Sequence, residues 1–177
     1  MNLKKLFDVG VDFETFMKLA SEEEKAQING ILRNLKLDES FIQNFASKDK
    51  LNILISAESW CPYARVTVAT LHKLSEVAKN VEIRIITEGR GFMFLRSKLE
   101  ISEDDYVIPT IALLDKDGEF VNSYIGKPQK YELRYFAKIK TEFFEGKHSN
   151  DILEEILNKY NGSLSNSVDE KNKIKFQ

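Results

Sequence analysis

An apolar run, Leu51-Asn52-Ile53-Leu54-Ile55, stops shortly before Trp60-Cys61-Pro62-Tyr63-Ala64, and a helical pattern begins at Pro62. That order of strand, cysteine and proline-led helix constrains the chain more than any other feature. Pro62 suits the first helical position, where a missing N–H costs nothing. Cys61, the chain's single cysteine, then sits at a helix N-terminus. Unpaired backbone N–H groups and the helix dipole stabilise a thiolate there, and such placement lowers a thiol pKa from ~8.5 to roughly 3.5–7.5. Within 62–79, Ala64, Val68, Leu71 and Ala78 share one side, and Val81-Glu82-Ile83-Arg84-Ile85-Ile86 reads as a second strand. The unit is β-α-β, with the two strands expected to be parallel and joined by a right-handed crossover.

The rest of the chain fits around that unit. Residues 1–47 read as a helical extension, with apolar positions at Leu3, Leu6, Phe7, Phe13, Phe16, Met17, Ile28, Ile31 and Leu35. Ser21 and Glu24 match a capping box. This block carries no obvious chemistry, and its amphipathic faces suit packing or partner docking. Gly89-Arg90-Gly91 breaks the chain before an expected helix from Phe92 to Leu99. Residues 109–114 and 119–124 flank an Asp-Gly turn and read as an antiparallel hairpin. A helix is expected from Gln129 to Glu145 after Gly126 and Pro128, and a last one from Asp151 to Tyr160. The core unit thus spans 48–160, and the polar 161–177 reads as a frayed tail.

Composition excludes several classes. With 177 residues, the chain is long enough for one well-packed domain plus an extension. A net charge of -2 gives no electrostatic case for nucleic acid. No segment has the apolar length to span a bilayer, and the first residues lack a signal peptide's apolar core. A lone cysteine rules out an internal disulfide and fits a cytoplasmic protein. With only His72 and His148 beside it, no zinc-ligand spacing exists, and both histidines read as surface residues. No phosphate-binding glycine loop is present, so no metal or cofactor is expected.

Trp60-Cys61-Pro62-Tyr63-Ala64 resembles the W-C-x-x-C motif of the thioredoxin family, and Ile108-Pro109-Thr110 resembles that family's cis-proline segment. Asp117-Gly118 and Gly126 also fall where the family's hairpin turn and final glycine lie. The resemblance covers roughly 48–145 and looks most like bacterial members with an additional helical N-terminus. It implies an α/β thioredoxin-like fold, a central mixed sheet flanked by helices. Two departures stand out: Ala64 replaces the second cysteine, and Ile55 replaces the buried acid six residues before the first. The usual dithiol cycle cannot run without them. Cys-Pro-Tyr also resembles glutaredoxins, but glutathione-contact signatures are not evident.

These residues suggest a monothiol mechanism. Cys61 would attack a protein disulfide or a glutathionylated cysteine, and an external low-molecular-weight thiol would release the mixed disulfide. Trp60 is expected to pack beside the sulfur and shield it. Tyr63 is expected to be exposed at the helix start, facing a partner. Pro109, if cis, would sit opposite Cys61, with the Ile108 backbone free to pair with an extended substrate. Arg65 reads as a solvated cation with some reach to the thiolate, and Glu58 and Glu88 as acids of undefined placement. The competing reading is a redox-inactive binding module in which Cys61 is inert. A peroxidase fits less well, because Trp60, preceded by Glu58 and Ser59, directly precedes the cysteine.

Overall fold

The computed structural model describes residues 2–174, and the surroundings of side chains from 2 to 162. Four helices come first: α1 (Leu3–Asp8), α2 (Phe13–Leu19), α3 (Glu22–Asn34) and α4 (Glu39–Ala46). Then follow β1 (Leu51–Ser56), α5 (Pro62–Val77), β2 (Val81–Ile86) and one helical turn, α6 (Glu88–Arg90). The chain closes with β3 (Thr110–Leu114), β4 (Phe120–Ile125), α7 (Leu133–Phe144) and α8 (Ser149–Ile174).

The strands form one sheet in the order β2-β1-β3-β4. β1 and β2 are parallel, and the other two pairings are antiparallel. Every residue of β1 and of β3 is buried, as central strands covered on both faces require. Alternation divides their side chains. Ile53, Ile55, Ile111 and Leu113 face the larger core with α3, α5, α7 and α8. Leu54, Ala112 and Leu114 face a smaller one with Leu3, Leu6 and Phe7 of α1. Each such Leu or Ile, fully buried, contributes about 1.5–3 kcal/mol.

The link between α1 and α2 reaches the outer side of β2. Val11 and Ile85 form an antiparallel bridge with two N–H···O bonds of 2.8 Å. One register row therefore runs Val11, Ile85, Ile55, Ile111, Tyr124 across the sheet. Gly10 permits this approach, since a Cβ there would lie 2.8 Å from the Arg84 Cβ.

Three segments depart from the sequence reading. The helix expected over 92–99 is a π turn (Gly91–Leu95) followed by a 3-10 turn (Arg96–Leu99), closed by Glu100 in the left-handed region at φ 56°. Gly91 lies so close to Ser56 and Tyr106 that a Cβ would meet the Tyr106 oxygen at 2.0 Å. The wide turn buries Leu95 while Phe92 and Met93 face outward. The helix expected from Gln129 starts at Leu133, because residues 128–131 form a turn, with the Tyr131 N–H donating to the Pro128 carbonyl at 3.1 Å. That turn delivers the Tyr131 ring to the core. The last helix, expected over Asp151 to Tyr160 with a frayed tail after it, runs from Ser149 to Ile174. Of that expected tail, positions 175–177 lie outside the described residues.

Gly10→Ala is expected to lower stability by about 1–3 kcal/mol, read from urea unfolding. Asp12 and Glu24 cap α2 and α3 and bond backbone N–H groups, which holds both carboxyls below their ordinary values of 3.8 and 4.5. A depressed folded pKa gives stability that is present above the unfolded value and lost as pH falls through the folded one. The unfolding midpoint should therefore fall as pH drops below about 4.5, and Asp12→Asn should flatten that fall.

Candidate functional site

Cys61 is the N-cap residue of α5, with φ -81° and ψ 119°, and Pro62 follows at the first helical position. The side chain of Cys61 makes no capping bond. Its sulfur lies 3.6 Å from the carbonyl oxygen of Ile108, to which the thiol can donate. The Ile108–Pro109 peptide bond is cis. The Pro109 carbonyl accepts from the Gly126 N–H at 2.7 Å, which fixes the start of β3 beside β4. Cys61 and the Ile108-Pro109 segment thus face each other across the end of the sheet. Both Cys61 and Ile108 are buried, at 6% and 8% exposure.

The turn before the cysteine is heavily tied. The Cys61 N–H donates to Glu58 O at 3.1 Å, and the Arg65 N–H to Cys61 O at 3.0 Å. Arg65 Nη1 donates to the carbonyls of Ser59 at 3.0 Å and Trp60 at 3.3 Å. Arg65 is thus a clamp on the turn rather than the solvated cation that its sequence position suggested. Ser59 Oγ donates to Glu24 Oε2 at 2.9 Å, which joins the turn to the first residues of α3. Glu58 Oε1 accepts from the Glu88 N–H at 2.9 Å and so holds the start of α6.

Two aromatic expectations are reversed. Trp60 is 56% exposed, an open surface ring rather than a shield packed over the site. Its backbone carbonyl accepts from Arg65 while its side chain faces solvent. Tyr63 is half-buried, with its ring 5.8 Å from Phe136 and 5.0 Å from Phe144 of α7. It belongs to an aromatic layer between α5 and α7, and burial pushes its phenol up, with Cys61 nearby adding to the shift. The histidines are not free surface residues either. His72 stacks on Phe13 at 3.8 Å, and burial pushes its imidazole down. His148 lies between Glu142 and Asp151, at 3.3 and 3.4 Å.

Ala64 and Ile55 are both fully buried in the larger core. Ile55 is flanked in register by Ile85 and Ile111, so the place of the missing acid is wholly apolar. Among the described residues, no three His, Cys, Asp or Glu side chains gather as a metal site. Among them, too, no helix is long and apolar enough to cross a membrane. Sequence reasoning missed Glu24 and Ser59 as parts of this region. The Ser21/Glu24 capping box was readable, but a bond spanning 35 positions had no local signal.

A thioredoxin family model matches residues 10–140, most of the chain. The chain belongs to the thioredoxin family and has its α/β fold. Among solved structures it is similar to a protein of unknown function from Pseudomonas aeruginosa. The two are 22% identical with a TM-score of 0.83, and the match covers 92% of this chain and 99% of that one. An HIV epitope-scaffold is similar at 22% identity and a TM-score of 0.82, with the same shares covered. At these identities the likeness is one of fold. No curated protein matches the chain.

If Tyr63 serves α5–α7 packing, Tyr63→Ala should cost about 1–3 kcal/mol, while Tyr63→Phe should stay within about 0.5 kcal/mol. Chemical denaturation distinguishes this from an exposed contact residue, for which both variants would be near neutral.

Proposed function

We propose that the chain is a single-cysteine thiol-disulfide oxidoreductase acting on protein disulfides or on cysteines capped by a small thiol. The observation that carries this reading is the meeting of the Cys61 sulfur, at the head of α5, with the Ile108-Pro109 backbone at 3.6 Å. The Cys61 thiolate attacks one sulfur of the substrate disulfide. A bond forms between the two sulfurs, the substrate bond breaks, and its other sulfur leaves as a thiolate. An external low-molecular-weight thiol, as thiolate, then attacks the mixed disulfide at the substrate's sulfur and releases Cys61 as a thiolate. The external thiol is the reductant of this second step, since Ala64 offers no sulfur. Exposed Trp60 and Val107, each next in the chain to a residue of that contact, would receive the substrate segment. A reducing compartment such as the cytoplasm suits this cycle.

A second reading is favoured by the exposure of Trp60, Phe92, Met93 and Val107 together with a cysteine that is only 6% exposed. Here the same end of the fold docks a protein partner without chemistry.

The test is reaction with a small disulfide and a glutathionylated peptide, followed by intact mass. The wild type should gain a mixed-disulfide adduct that Cys61→Ser lacks, and added thiol should remove it. Ala64→Cys should shorten the lifetime of that adduct by supplying an internal thiol. Absence of any adduct in the wild type would exclude the oxidoreductase. Partner capture undiminished by Cys61→Ser would then support the docking reading.

A further inference from the structure

The turn that carries Cys61 is held from two sides, and one of them is the N-terminal helical block. Four successive carbonyls, from Glu58 to Cys61, are engaged. The Cys61 N–H takes the first, the Arg65 guanidinium the next two, and the Arg65 N–H the last. Those bonds fix the backbone of the turn from α5, to which Arg65 belongs. The side chain of Ser59 is fixed from elsewhere. Its hydroxyl donates to Glu24 Oε2, the same oxygen that accepts the Ser21 N–H at 2.9 Å. Glu24 therefore does two things with one carboxylate: it closes the capping box of α3, and it anchors the residue two before the cysteine. The positive charge of Arg65, near the same carboxylate, adds to holding Glu24 ionised. A cap needs only the bond to Ser21, so the second bond is not required by helix formation.

We infer that Glu24, acting through Ser59, is a positioning residue for Cys61, so that the N-terminal block is part of the reactive site rather than an attachment to it. Its functional weight rests on the thiol reading above. The turn has few ways to hold Trp60 outward and the sulfur toward Ile108 at once. Arg65 fixes its carbonyls, and Ser59–Glu24 fixes the orientation of the peptide units against α3. Releasing Ser59 would remove the turn's tie to α3 and leave it held by Arg65, by the Cys61–Glu58 backbone bond and by Glu58 to Glu88.

The chain itself supplies the readouts, having one tryptophan and one cysteine that are adjacent in sequence. Trp60 emission reports the turn, and the rate of Cys61 alkylation by iodoacetamide reports the sulfur. Neither depends on redox turnover. Ser59→Ala leaves the capping box intact and removes only the link. Glu24→Gln keeps a capping side chain but removes the charge. Glu22→Gln, on an exposed residue of the same helix turn, controls for the helix.

Ser59→Ala and Glu24→Gln are expected to shift Trp60 emission and to change the Cys61 alkylation rate by about threefold or more, the range of one net hydrogen bond. Glu22→Gln should leave both readouts as in the wild type, and Ser59→Ala should keep the wild-type urea midpoint within the spread of that control. Unchanged emission and rate in both variants would overturn the inference. So would a shifted emission with an unchanged rate, because the link would then hold the tryptophan and not the sulfur. Normal variant effects on alkylation, with no mixed disulfide in the wild type, would instead remove the oxidoreductase reading and leave the positioning intact.

Discussion

β1 is buried along its whole length, and the elements packed around it cover its two faces and its two edges. β2 and β3 satisfy its backbone groups on either side. α5 and the helices beyond it cover the face of Ile53 and Ile55, while α1 covers that of Leu54. The position of Cys61 follows from this. The chain leaves the buried end of β1 at Ser56, must cross the top of the sheet, and must enter α5 above it. β3 begins beside the same end, paired Thr110 to Ser56. The cysteine and the proline segment are brought together by strand register, not by attraction between them.

The same burial holds at positions 55 and 64, where the chain carries Ile and Ala. Ile55 and Ala64 lie in one continuous apolar core. An acid at 55 would be a charge between Ile85 and Ile111, costly unless it had a proton-transfer partner to serve. With no second sulfur to deprotonate, no such partner remains. With apolar residues at both positions the interior is ordinary packing, and Cys61, itself buried, is the chain's one thiol.

Much of this was legible from sequence, and the reason is local. The two strands of the β-α-β unit and the start of α5 follow from apolar runs and a proline within short stretches. The hairpin was legible from its turn. What escaped depended on partners far along the chain. Tyr63 reads as an exposed helix-start residue until α7, some 70 positions on, lays Phe136 and Phe144 against it. Trp60 reads as a shield, yet its carbonyl accepts from Arg65 while its ring faces solvent. His72 reads as surface until Phe13 stacks on it. The π turn at Gly91 has no periodicity of its own and is imposed by Ser56 and Tyr106 beneath it.

The Val11 bridge also bears on the open edge of the sheet. A terminal strand of a sheet carries a row of open amides and carbonyls that will zip onto any extended chain that arrives. Here β2 is such a strand, and one residue borrowed from the stretch between α1 and α2 occupies its rim near the C-terminal end, at Ile85. Gly10 allows that plug to seat. The same stretch therefore serves two ends of one device: α1 lids the Leu54 face, and the residues just after it occupy part of the open rim.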